Sequence, residues 1–169
     1  YIDATVGATL KSLHRTRAKE QVHGDAHLNP KFWEGHQRKT VFVLVIGETA
    51  RTKNFALNGY DRETNPRLHH LTNLVSYRNV RACGTSTAVS VPCMFDPRGR
   101  EAFLESEAPV SNLLDFAKQA GFEVTWIDNN TGCQGMCEGF KTLDLSAFRT
   151  PALCPYETCF DSILVPATE

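Results

Sequence analysis

Three hydroxyls, Thr85, Ser86 and Thr87, stand between two cysteines in Cys83-Gly-Thr-Ser-Thr-Ala-Val-Ser-Val-Pro-Cys93. Upstream, the apolar, β-branched run Val41-Phe-Val-Leu-Val-Ile46 stops at Gly47 and delivers the carboxylate of Glu48. A hydroxyl is a weak nucleophile until a base or a cation stabilises its alkoxide. A carboxylate at a strand end is a hard oxygen ligand suited to Zn²⁺, Mg²⁺ or Mn²⁺. Together these are the parts of a metal-activated nucleophile. Thr87 is the candidate nucleophile. It precedes the apolar run from Ala88 and reads as a helix N-cap. There the helix dipole and the first N–H groups favour an alkoxide and a bound phosphate. A disulfide between Cys83 and Cys93 would hold such a loop rigid. Each residue also has a plainer reading: a capping threonine for Thr87, and a first-turn acid of the following helix for Glu48.

Other residues join this pair. Asn130 follows an apolar run, and its amide could hold phosphate oxygens; an Asx turn is the alternative. Arg51 and Lys53 are candidate phosphate contacts or simply solvated cations. His14, His23, His27 and His36 cluster near the start, and solvated loop histidines are favoured over a metal site there.

The elements that must position these residues alternate in type. Val41–Ile46 reads as a short buried parallel strand. A polar, helix-prone stretch follows, then the turn signal Asn58-Gly-Tyr-Asp61. Pro66 suits the first turn of another helix. Val75–Val80 alternates like a strand. Ser111 is the expected N-cap of a helix over Asn112–Gln119, with Gly121 just past its end. Phe122–Ile127 reads as a strand that leads into Asp128-Asn-Asn130. Strand–helix–strand alternation predicts an α/β domain with a mainly parallel sheet. In such sheets the site lies beyond the carboxyl ends of the strands, where Glu48 and Asp128–Asn130 both fall. Residues 1–22 read as a helix and 24–39 as a linker. The tail from Thr131 is loop-rich, so the sheet reads as incomplete.

Composition narrows the class. The 169 residues are 41% hydrophobic and 22% charged, ordinary for one globular domain. The net charge of −1 gives no electrostatic case for a nucleic-acid partner. No run approaches the ~18 apolar residues of a membrane span. The chain opens at Tyr1 without a methionine and is expected to be part of something longer. Six cysteines fall in close pairs, Cys83 with Cys93, Cys133 with Cys137 and Cys154 with Cys159. The clustering favours local disulfides and an oxidising compartment. Thiolate–metal binding is the weaker alternative, because paired C-x2-C knuckles are missing.

At these motifs the chain resembles the lipid A phosphoethanolamine transferases, including the mobile colistin-resistance enzymes. The resemblance is carried by Gly47-Glu-Thr-Ala-Arg51, Asn58-Gly-Tyr60, Arg62-Glu-Thr-Asn-Pro66, Cys83-Gly-Thr-Ser-Thr87, Ser90-Val-Pro-Cys-Met-Phe95 and Asp128-Asn-Asn130. It runs from about Val41 to about Cys159. It implies an alkaline-phosphatase/sulfatase-like α/β fold, a mainly parallel sheet flanked by helices, incomplete in this chain. It implies residues 1–39 as a helix and linker from a membrane domain, and 40–169 as the N-terminal part of the catalytic domain. The implied site is at the periplasmic face of the Gram-negative inner membrane.

By the same resemblance, Glu48 would be a zinc ligand. Thr87 would be zinc ligand and nucleophile, taking phosphoethanolamine from phosphatidylethanolamine through a phosphothreonine and passing it to a lipid A phosphate. Asn130 would contact the phosphoethanolamine. The pairs Cys83–Cys93, Cys133–Cys137 and Cys154–Cys159 match the family's local disulfides. Two departures stand out. Gln134 occupies the position of a lysine found in many members. The family's Asp-His zinc ligands, in a Ser-Asp-His-Gly-Glu segment, have no counterpart here. Two oxygen ligands fall short of the three or four of a tight zinc site, so this chain alone is expected to bind zinc weakly and turn over poorly. Alternatives are a related transferase acting on another envelope glycan, a metal-dependent phosphohydrolase or sulfatase, and an inactive truncated domain. The sulfatase signature C/S-x-P-x-R is not met by Cys83-Gly-Thr-Ser-Thr87.

Overall fold

The computed structural model describes Lys31, Glu34 and residues 39–47, 49–106, 110–130 and 132–168. The expected helix over 1–22, most of the expected linker, the four clustered histidines and Glu48 lie outside the described residues. Contacts divide the chain into two units, one containing Cys83–Glu169 and the other spanning Arg38–Ala82.

In the first unit, α1 spans Thr87–Phe95, α2 spans Arg100–Glu105 and α3 spans Leu113–Gln119. Strand β1 is Thr125–Ile127 and β2 is Lys141–Leu143. The two strands pair in parallel, with Trp126 opposite Thr142. The core among the described residues is Val91, Cys93, Phe95, Phe103, Val110, Met136 and Ile163. Phe95 meets Trp126 with ring centroids 6.1 Å apart, which ties the end of α1 to β1.

Helix α3 shows how its sequence sets its ends. Its N-cap is Asn112, one residue beyond the Ser111 expected. The Asn112 side chain accepts from the Leu114 and Asp115 N–H groups, at 2.8 and 3.3 Å. The Asp115 carboxylate accepts the Asn112 N–H in return, at 2.7 Å. This reciprocal box satisfies orphan donors twice over, which a serine without a partnered acid does not. At the other end the Gly121 N–H reaches the Lys118 carbonyl and the Phe122 N–H reaches the Ala117 carbonyl, both at 3.0 Å. Gly121, at φ +93°, takes the left-handed position that this closure requires.

A parallel pair needs a crossover. Here the segment between the strands supplies it, with no helix among its described residues. The Cys133–Cys137 disulfide closes it tightly. Gly132, Gln134, Gly135 and Gly139 all adopt positive φ within it. Helix α3 lies along this crossover. Asn112 donates to the Met136 carbonyl at 3.4 Å near one end of the helix, and Lys118 stands 5.5 Å from the Phe140 ring centroid near the other.

Other expectations change as well, and the strand expected over Phe122–Ile127 is confined to Thr125–Ile127. Val41–Ile46 is not a buried strand. It has no strand partner among the described residues, and Val41, Phe42 and Val45 are 82, 79 and 80% exposed. Val75–Val80 is likewise not a strand, and Val75, Tyr77 and Val80 are exposed. An extended run becomes a strand only when a neighbour takes up its N–H and C=O groups. The helix expected from Pro66 is a single 3-10 turn, Leu68–His70. In the opposite sense, α2 and β2 form where no element was expected.

In the Arg38–Ala82 unit, the helix-prone stretch forms two 3-10 turns, Thr52–Asn54 and Ala56–Asn58. Gly59 at φ +96° ends the second, as its turn signal requires. The Thr64 hydroxyl knits this region together. It donates to the Asn54 carbonyl at 2.7 Å and accepts the Ala56 N–H at 3.0 Å.

Candidate active site

Thr87 is the first residue of α1, and the N-cap is Ser86. The Ser86 carbonyl accepts from the Val89 and Ser90 N–H groups, at 3.1 and 2.9 Å. Ser86 caps through its backbone and makes no side-chain cap hydrogen bond. Thr87 is therefore the first helical residue and not the N-cap that the sequence suggested. Its hydroxyl-bearing side chain is half-buried at the dipole's positive end.

The loop that leads into Thr87 is fixed from two sides. The Cys83–Cys93 disulfide joins the residue before the loop to the second turn of α1. Gly84 lies so close to the helix that an added Cβ would stand 2.9 Å from Val89 Cγ1 and 3.3 Å from Val89 Cβ. Val91, Pro92, Cys93 and Phe95 bury the helix's inner face. Pro92 donates no N–H, so the Ala88 carbonyl has no i+4 helical donor. Beyond the helix, the Arg98 guanidinium grips the Asp96 carboxylate, with Nη2–Oδ2 at 2.8 Å and Nε–Oδ1 at 3.0 Å. That hydrogen bonding raises the Arg98 pKa above its ordinary value.

Asp128–Asn130 follow β1 directly, at the carboxyl end of the strand. The Asp128 carboxylate accepts the Asn130 N–H at 2.9 Å, so the Asx turn is made by Asp128. Asn130 itself is exposed. Asn129 plays a structural part, since its amide donates to the Cys159 carbonyl at 3.1 Å and to Asp161 at 2.9 Å. This ties the strand end to the loop closed by the Cys154–Cys159 disulfide. Gln134 is half-buried at φ +52°, on the crossover that follows. Arg51 and Lys53 are exposed in the other unit, on either side of the start of the first 3-10 turn.

Thr87 and Asn130 thus lie in one unit, on elements joined through Phe95 and Trp126. The donor set for a metal is short. Among the described residues no three His, Cys, Asp or Glu side chains converge. Thr87 brings one oxygen, and Glu48 lies outside the described residues. The six cysteines are closed in disulfides and offer no thiolate. The residues present do not by themselves make up a zinc site of three or four ligands. Motif reading gave no role to Gly84 or Asn129, because one acts through close backbone approach and the other through partners distant in sequence; the Asp96–Arg98 pair, two residues apart, is a local contact that it also left out. The Asn112-x-x-Asp115 box was a readable signal.

The sulfatase family model matches residues 40–169. The chain belongs to the sulfatase family. Within it, the chain is 43% identical over 146 residues to phosphoethanolamine transferase EptA of Escherichia coli K12, covering 86% of this chain and 26% of that protein. It is 33% identical over 132 residues to phosphatidylethanolamine transferase Mcr-1 of Escherichia coli, covering 74% of this chain and 24% of that one. Among solved structures it is similar to the integral membrane lipooligosaccharide phosphoethanolamine transferase A of Neisseria meningitidis. That match has 37% identity and a TM-score of 0.75, over 99% of this chain and 31% of the other. The soluble domain of the Neisseria meningitidis enzyme matches with 41% identity and a TM-score of 0.64, over 73% of this chain and 37% of that one. The motif resemblance and the sulfatase-like α/β fold it implied are borne out. The chain spans 26% of the length of the E. coli EptA that it matches.

Proposed function

We propose that this chain is part of a phosphoethanolamine transferase that moves phosphoethanolamine from phosphatidylethanolamine to a lipid A phosphate. The observation that carries the proposal is Thr87 at the start of α1, held by the Cys83–Cys93 disulfide and the close packing of Gly84 on Val89. The relatives named as phosphoethanolamine transferases, from Escherichia coli and Neisseria meningitidis, support the choice of transferred group.

In this reading the Thr87 hydroxyl attacks the donor phosphorus and the diacylglycerol oxygen leaves with a proton. The resulting phosphothreonine then passes its phosphoethanolamine to the acceptor phosphate. Asn130, next to the turn that ends β1, would hold phosphate oxygens. Zinc is the proposed cofactor, with Glu48 and Thr87 as the ligands this chain contributes; when bound it would stabilise the alkoxide. The same reading puts the catalytic domain at the periplasmic face of the inner membrane, with residues 1–39 leading from a membrane domain. Among the described residues no helix is long and apolar enough to cross a membrane.

The test is mass spectrometry of lipid A from cells expressing a form with the whole catalytic domain, beside its Thr87→Ala variant. A phosphoethanolamine-sized addition is expected with the parent and none with Thr87→Ala. Modified lipid A from the variant would remove Thr87 from the nucleophile role. A second acceptor has an observation of its own. The chain is 34% identical over 112 residues to the Kdo(2)-lipid A phosphoethanolamine 7''-transferase of Escherichia coli K12. Fragmentation of the modified lipid separates the two readings, because the added mass would sit on the sugar core instead of on a lipid A phosphate.

A further inference from the structure

Charge is divided unequally between the two units. Arg38–Ala82 carries eight Lys/Arg against three Asp/Glu, a net +5. The remainder of the chain carries ten against sixteen, a net −6. The overall −1 conceals this division. Within the basic unit, Lys53, Arg62, Arg67, Arg78 and Arg81 are all exposed, and no described carboxylate pairs with them. One of the three acids, Glu63, is engaged by His69 at 3.2 Å.

Two side-chain joints tie together the backbone segments that carry three of these cations. The Thr64 hydroxyl donates to the Asn54 carbonyl at 2.7 Å, which joins the backbone segments that carry Arg62 and Lys53. Ser76 donates to the Asn58 side chain at 3.2 Å, which brings Arg78 to the same knitted segment. Tyr77, between Ser76 and Arg78, is 76% exposed. Unpaired cations beside an exposed tyrosine match the layered chemistry of a bilayer surface. The cations meet phosphates, and the amphipathic ring sits at headgroup depth.

We propose that the Lys53–Arg62–Tyr77–Arg78 surface docks this protein on an anionic, phosphate-bearing lipid surface. The choice of a lipid partner rests on the transfer reading above, in which donor and acceptor both reside in membranes. The docking surface steers the catalytic domain to those lipids and takes no part in bond making.

The experiment is co-sedimentation of the 169-residue chain with vesicles of phosphatidylethanolamine and phosphatidylglycerol, beside vesicles of phosphatidylethanolamine and phosphatidylcholine. A short DNA duplex serves as a soluble polyanion. Expected is binding to the anionic vesicles that weakens with salt, and little to the zwitterionic ones. The double variant Arg62→Glu/Arg78→Glu should weaken anionic-vesicle binding at least about tenfold. The double variant Arg62→Lys/Arg78→Lys, which keeps charge, should stay close to the parent and serves as the folding control. Tyr77→Ser should weaken vesicle binding and leave duplex binding unchanged. Equal binding to both vesicle types, or glutamate variants that bind like the parent, would overturn the proposal. So would duplex binding as tight as vesicle binding and equally insensitive to Tyr77. The lipid A assay is read separately. Unmodified lipid A with intact vesicle docking rejects the transfer reading, and modified lipid A with no docking rejects only the surface.

Discussion

Asn112 links two parts of the first unit with one side chain. Its carbonyl oxygen caps α3 and its amide reaches the Met136 carbonyl inside the Cys133–Cys137 loop. The residue is 3% exposed, so neither end can turn to water. Asn112→Ala is expected to destabilise the unit by about 1–2 kcal/mol, through the lost cap and the unsatisfied carbonyl. Asn112→Asp keeps the cap acceptor but loses the donor to Met136, and should fall between the two. Chemical denaturation of the three proteins checks the order. Arg98 and Asp96 are a second local device. Asp96 is 5% exposed at its side chain, and the guanidinium keeps that buried carboxylate from being left uncompensated. Thr87 differs from both, since its backbone is fixed by its neighbours and it stands at the first helical position, after the N-cap Ser86.

Helix α1 is positioned by packing at its start and by an aromatic contact at its end. The Gly84–Val89 approach decides where the first turn can sit. Gly84→Ala would force Val89 aside and with it the turn that holds Thr87. The expected cost is about 1–3 kcal/mol, as for other overpacked sites. Val89→Ala in the same chain should recover part of it, because it removes the atom that the new methyl meets. Thermal unfolding of the single and double variants tests this; no recovery would assign the loss to backbone conformation. The strand pair depends on a different element. Its crossover is drawn tight by a disulfide and four left-handed residues, and Asn129 fastens the end of β1 to the Cys159 segment.

Across the molecule, apolar surface is distributed unevenly. Among the described residues, the seven buried hydrophobic ones all lie in the Cys83–Glu169 stretch, while Val41–Val45 in the other unit are exposed. Amide hydrogen exchange is expected to show it. The N–H groups of Phe42–Val45 should exchange near coil rates, and those of Ser90, Val91 and Cys93 in α1 should be protected. Equal protection in both would mean that the run is paired in solution. Such an exposed β-prone run is also an aggregation hazard, which its basic surroundings oppose by repulsion.

The sequence by itself determined what depends on near neighbours and on side-chain chemistry. Gly121 stops α3 because a left-handed residue is needed there, and Gly59 ends its turn for the same reason. Each cysteine found its partner within ten residues. The motifs around Thr87 and Asp128–Asn130 carried the family, since residue type and spacing survive where packing changes. Tertiary structure alone decided what depends on distant partners. Val41–Ile46 has every local property of a buried strand, yet Val41–Val45 are exposed, because no strand among the described residues pairs with the run. Lys141–Leu143 has little strand signal, yet β1 lies alongside and supplies the hydrogen bonds. The charge division was countable in the sequence, but only the contacts that define the two units gave it a boundary.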